Sequence, residues 1–140
     1  CSAERLVVYV YRSTSGSWLP YEPGQERPSD MAQTTTMDGK TVDYIVRWER
    51  GTINRFIYSI AMLAPDDTGP DDLTTTAWNG KLIYHFQGGV GIGHTQGGPS
   101  GSRMLYEYGL SQGYGIIYST GTKTGEHYNL VLGRETALMV

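Results

Sequence analysis

Cysteine, long apolar runs and a basic stripe are all missing or nearly so from this sequence, and each absence narrows what it encodes. The single cysteine, Cys1, has no partner for an internal disulfide. No apolar run approaches the roughly 20 residues of a membrane helix, so no membrane span is expected. Acidic residues outnumber basic ones, 14 to 11, for a net charge of −3. Without a Lys/Arg stripe, nucleic acid is not an expected partner. The three histidines, His85, His94 and His127, lack metal-ligand spacing, so neither a metal nor another cofactor is expected. No G-x-S-x-G occurs, so these residues hold no nucleophile elbow of that kind.

What remains is globular material. Hydrophobic residues make up 39% of 140, with 11 Tyr and 3 Trp, enough for the core of one ordinary domain or part of one. The β-branched and aromatic run of residues 5–13 reads as a strand, and the Pro- and Gly-containing stretch after it as a surface loop. Asp38-Gly39 is a tight-turn signal. In "VDYIVRWERG", Val42, Tyr44, Val46 and Trp48 share one face and Asp43, Ile45, Arg47 and Glu49 the other. "INRFIYSIAMLA" is a second strand, expected to pair with the first as an antiparallel hairpin, with Gly51-Thr52 before it. Tyr9, Tyr44, Tyr58 and Tyr84 read as sheet packing, and Trp78 as core ahead of an Asn79-Gly80 turn. The Asp66, Asp67, Asp71 and Asp72 segment does not match a calcium-loop spacing and reads as a solvated acidic loop.

After Trp78 the pattern changes. Residues 81–86 form a short buried-type strand. Residues 100–113 predict a helix with Ser100 or Ser102 as N-cap, an apolar face of Met104, Leu105, Tyr108 and Leu110, and Gly113 at C′. Residues 114–120 are a strand and 130–140 a helix. A β–α–β–α order predicts a parallel crossover unit. The last helix carries no stop signal, and two parallel strands leave edges uncovered, so the sheet is expected to continue beyond residue 140.

The chemical question sits in "KLIYHFQGGVGIGHTQGGPSG", where seven glycines follow the strand. Glycine costs backbone entropy, so the loop needs φ > 0 turns or close approach of another group. A dinucleotide fingerprint is only partly matched, because G-x-G-x-x-G fails by one residue. A phosphate-binding loop is excluded, since no Lys-Ser/Thr closes it. An oxyanion hole fits the location, strand–glycines–helix, and the demand that side chains stay clear of an anionic oxygen. A plain connecting loop remains open beside these. At the same sheet end lie Ser119, Thr120, Glu126 and His127, and His94 stands in the loop as a candidate base, metal ligand or substrate contact.

The strings "AWNGKLIYHFQGG", "LSQGYGIIYSTGT" and "ETALMV", with "TTTMDGKTVDYIVRWERGTINRFIYSIAML" before them, resemble the N-terminal portion of an uncharacterised secreted bacterial α/β-hydrolase-like family related to tannase and feruloyl-esterase-like enzymes. The resemblance covers nearly the whole chain. Relatives in that family typically carry cysteines where this sequence has Val90 and Tyr128, so a disulfide between those places is absent.

Together these readings predict an α/β fold: an antiparallel N-terminal β segment over residues 1–64, followed by a partial parallel β-α-β-α unit over 78–140 of an α/β-hydrolase-like sheet. The resemblance implies ester hydrolysis, with Gly88, Gly89 and Val90 as oxyanion-hole amides and His94, Gln96 and His127 as substrate contacts. It implies an ester-type small-molecule substrate, with the remaining C-terminal part of the domain as partner carrying the nucleophile beyond residue 140. The alternative is a non-catalytic ligand-binding or structural domain of a secreted protein. High Tyr, Thr, Ser and Gly with little Lys suggests an extracellular or periplasmic location, and a native N-terminus at Cys1 would predict a lipoprotein.

Overall fold

The computed structural model describes residues 4–71, 76–88, 93–98, 101–123, 125–126 and 129–140, with only the backbone of Gly101 and Ser102. β-Branched and aromatic residues dominate its longer strands: β1 (Leu6–Arg12), β2 (Trp18–Tyr21), β3 (Gln33–Thr35), β4 (Thr41–Asp43), β5 (Ile45–Ile53), β6 (Phe56–Leu63), β7 (Leu82–Gln87) and β8 (Gly115–Lys123). The helices are α1 (Gly101–Met104), α2 (Glu107–Leu110) and α3 (Leu130–Met139).

Six strands form one sheet in the order β2-β1-β5-β6-β8-β7, and β3-β4 form a small separate hairpin. The β7–β8 pair is parallel, and the other pairings between these strands are antiparallel. The fold is therefore mixed α/β, with a mostly antiparallel sheet and few helices. Because β6 hydrogen-bonds β8, strands of residues 1–64 and of 78–140 share one sheet.

The core lies where α1 and α2 cover one face of that sheet. Val46, Ala61, Leu63, Ile116 and Tyr118 pack there against Met104 and Leu110. Gly109 makes the contact close, since a Cβ there would stand 2.8 Å from the Cδ1 atoms of both Ile83 and Ile116. Helix α3 packs along β8 on the opposite face, where a Cβ on Gly121 would stand 2.5 Å from the Phe56 ring and 2.8 Å from Thr136. A second cluster of Tyr9, Tyr11, Tyr21, Ile45 and Ala64 closes the β1–β2 end.

Several expectations hold and several are corrected. Asp38-Gly39 turns between β3 and β4 with Gly39 at φ 79; Asn79-Gly80 turns into β7, where Lys81 N donates to Asn79 Oδ1 at 2.9 Å. Gly113 follows α2 at φ 86. The expected hairpin is β5–β6, but its turn is Asn54-Arg55 (φ 51 and 71) rather than Gly51-Thr52. The expected surface loop contains β2, whose Pro20 is tolerated because β2 is an edge strand. The single strand read through Asp43 breaks at Tyr44, so β4 and β5 belong to different sheets. The single helix of 100–113 is two short turns interrupted at Leu105-Tyr106. Its Met104 and Leu110 are buried, while Tyr108 is 81% exposed. Trp78 is only partly buried, with Nε1 donating to Lys81 O at 2.9 Å, and Ala77 takes the core position instead. Strand β7 is not buried: it is the sheet edge, with Leu82 57% and Phe86 65% exposed.

Candidate functional site

Parallel pairing brings the carboxyl ends of β7 and β8 to one rim. The register shifts between His85 and Gln87, and Gln87 then pairs with Lys123. Such irregularities re-aim chains at the end of a sheet. Tyr58 of β6 pairs with Ser119 of β8, which carries the Asn54-Arg55 turn to the same rim. Helix α3 also begins there, with the Asn129 side chain accepting from Leu132 N at 3.0 Å as its N-cap.

Residues 93–98 of the glycine-rich loop are fastened to this rim on two sides. Thr95 donates from N to Glu126 O at 3.0 Å and from Oγ1 to Glu126 Oε2 at 2.7 Å. Gln96 Nε2 donates to Arg55 O at 2.8 Å. Gly93 is a glycine for close approach, because a Cβ would lie 2.3 Å from Glu126 O. Gly97 is one for its positive φ of 74. Lys123 Nζ donates to Glu126 Oε1 at 2.6 Å. That ammonium, with the Thr95 hydroxyl, holds the Glu126 carboxyl below its ordinary range.

The sign of this shift gives a prediction. A lowered folded-state value means the clamp is fully formed above the ordinary glutamate pKa and is released as pH falls through the lower folded value. Amide NMR signals of Thr95 and Gln96 should therefore titrate on acidification below about pH 4.5, and Glu126→Gln should abolish that titration. Signals that move equally in the variant would show that Glu126 does not hold the loop.

Two cavities flank the start of α3 and share Asn129. One, of about 480 Å³, lies between the β7–β8 end and α3, and is lined by Phe86, Gly88, Gly121, Leu130, Gly133 and Leu138 among others. The other, of about 410 Å³, is lined by Arg55, Phe56, Gly93, His94, Thr95, Gln96, Asn129 and Leu132.

The expected site residues divide accordingly. Gly88 is exposed on the first cavity with nothing within 4 Å of a would-be Cβ. His94 and Gln96 lie together on the second. Gly89, Val90 and His127 lie outside the described residues, as does Tyr128. His85 points to the α1–α2 face, edge-on to Tyr106 at 5.4 Å. Burial, then the charge of Arg103, pushes its imidazole below its ordinary value. Ser119 and Thr120 are fully buried and accept from Gly121 N and Ile57 N at 3.2 and 3.0 Å, so both serve the fold. Three carboxylates of the acidic loop take separate protein partners, Asp66 with Thr76, Asp67 with Tyr21 and Asp71 with Arg5, and Asp72 lies outside the described residues. Among the described residues no group of three or more His, Cys, Asp or Glu could hold a metal ion, and no helix is long and apolar enough to cross a membrane.

Arg55, Asn129 and Phe86 were not anticipated. The only sequence signal for the first was Asn54 between two alternating runs, a turn signal weakened by Arg at a place that favours glycine.

A sheet with a parallel edge pair, a glycine-rich loop at its carboxyl rim and two cavities beside the following helix defines a mixed α/β protein. The chain belongs to the family described as tannase-like and of unknown function, which it matches over residues 1–140. No curated protein and no solved structure matches it.

Proposed function

We propose that this chain is the oxyanion-side portion of a serine-hydrolase-like esterase domain with an α/β-hydrolase-like sheet. Gly88, Gly89 and Val90 supply backbone amides to the developing oxyanion, His94, Gln96 and His127 contact the substrate, and the nucleophile, acid and base come from residues beyond 140. One observation carries the reading: the glycine loop leaves the carboxyl end of a parallel edge strand, β7, and leads into the helical segment before β8. Counting from β5, β7 is the third strand, and it is the loop after the third strand that furnishes an oxyanion amide in α/β-hydrolases. The exposed backbone of Gly88 fits that demand. Membership of a tannase-like family supports the ester chemistry.

The β7 edge supports the second half of the proposal. Leu82 and Phe86 are exposed along it, and Leu130, Val131, Leu138 and Met139 of α3 are 75, 80, 79 and 54% exposed. An apolar strand edge beside an apolar helix face is suited to a further strand and helix of the same domain.

The test is fluorophosphonate labelling with p-nitrophenyl ester turnover. Residues 1–140 alone should be unlabelled, and a protein extended by its own reading frame should label at one serine. In that extended protein, Gly88→Val should leave the thermal midpoint unchanged, because a side chain there meets open space. It should lower kcat on the order of tenfold or more by obstructing the amides. Labelling of residues 1–140 alone would overturn the claim about the nucleophile. An extended protein that neither labels nor turns over ester would overturn the esterase reading.

A further inference from the structure

The cavity of about 410 Å³ beside His94 is of small-molecule size, and its chemistry is specific. Phe56 and Leu132 form its apolar part, while Arg55, His94, Gln96 and Asn129 supply polar groups, and no carboxylate lines it among the described residues. Ion pairs among the described residues engage Arg5, Arg12, Arg27, Arg47 and Lys123, and Arg55 is in none of them. Of the acidic residues around this turn and loop, Glu126 is taken by Lys123 and Thr95, and Glu135 of α3 accepts from Asn54 Nδ2 at 3.3 Å.

Arg55 also occupies an expensive position. It has φ 71 in a two-residue turn after Asn54 at φ 51, where glycine or asparagine is the low-strain choice. Gln96 then grips the Arg55 carbonyl at 2.8 Å, so the turn is held against the loop that forms the opposite wall. An exposed cationic residue in a strained turn, beside a cavity lined by Phe56 and Leu132 and by no carboxylate among the described residues, matches a ligand with a negative head and an apolar body.

We propose that this cavity binds the free carboxylate of a small organic acid through the Arg55 guanidinium. Resting on the esterase reading, it means that the substrate carries a carboxylate remote from the scissile ester, held by Arg55 while the ester lies toward Gly88 across Asn129. Asn129 lines both cavities.

The experiment is an amide NMR titration of residues 1–140 with hexanoate and with its uncharged isostere hexanamide. Hexanoate should give saturable shifts at Arg55, His94, Gln96 and Leu132, and hexanamide should bind at least tenfold more weakly. Arg55→Asn suits the positive φ and removes the charge, so it should keep the thermal midpoint and weaken hexanoate at least tenfold. Equal affinity for the two ligands, equal affinity in Arg55→Asn, or shifts confined elsewhere would overturn the proposal. No hydrolysis enters this measurement, so its failure leaves the oxyanion reading to be decided by labelling of the extended protein. Conversely, an unlabelled extended protein with Arg55-dependent hexanoate binding would leave a carboxylate-binding domain.

Discussion

Arg47→Ala should destabilise the protein by about 3 kcal/mol or more, the lower end of the range for breaking a buried ion pair by removing one partner. Arg47 is 4% exposed in the middle of β5. Its Nη2 donates to Glu49 Oε2 and to Pro70 O, both at 2.9 Å, which ties the central sheet to the acidic loop. Truncation leaves the Glu49 carboxylate, 15% exposed, with Tyr58 OH at 2.8 Å and Arg5 at 3.9 Å as its remaining partners. The double variant Arg47→Met, Glu49→Met should recover most of the loss, because removing both charges removes the desolvation cost with them. Urea midpoints at constant m read both effects. A loss under about 1 kcal/mol for the alanine variant would mean that this pair behaves as a surface ion pair despite its burial.

Gly93→Ala should remove the loop from the rim. The added Cβ would lie 2.3 Å from Glu126 O and 2.5 Å from both Glu126 C and Gly125 O. Backbone atoms cannot rotate away as a side chain can, so the overlap must be relieved by moving the loop. Overpacking of this kind costs about 1–3 kcal/mol. With it go the two Thr95–Glu126 hydrogen bonds and the Gln96 contact to Arg55. The expected readouts are altered amide shifts of Thr95 and Gln96 and at least a tenfold loss of hexanoate binding. Gly98→Ala is the control, since nothing lies within 4 Å of its would-be Cβ, and it should change neither. A Gly93→Ala protein with unchanged Thr95 and Gln96 signals would show that close contact with Glu126 is not what fixes the loop.

Glycine identity therefore carried part of the site in advance, though not the reason for each residue. The burst after β7 announced that something must approach or turn there. At Gly97 it is a turn and at Gly93 a close approach; a sequence cannot separate these, because the partner of Gly93 stands in a segment more than thirty residues away. His94 and Gln96 were legible as polar loop residues, yet the partner that gives Gln96 a role is a carbonyl in the β5–β6 turn. The resemblance to tannase-like proteins was legible in the motifs and agrees with the family match.

By itself the sequence determined the local vocabulary. Alternation fixed which side chains of Ile45–Glu49 share a face of β5, and Asp38-Gly39, Asn79-Gly80 and Gly113 fixed turns and a helix end, because these depend on neighbours one to four residues apart. The tertiary structure alone decided which faces are covered. It buried Arg47 against a partly buried Glu49, left the apolar β7 at an edge, and paired the Pro-containing Trp18–Tyr21 with β1. Burial is set by which strand lies beside which, and that follows from long-range pairing whose energy no single segment contains.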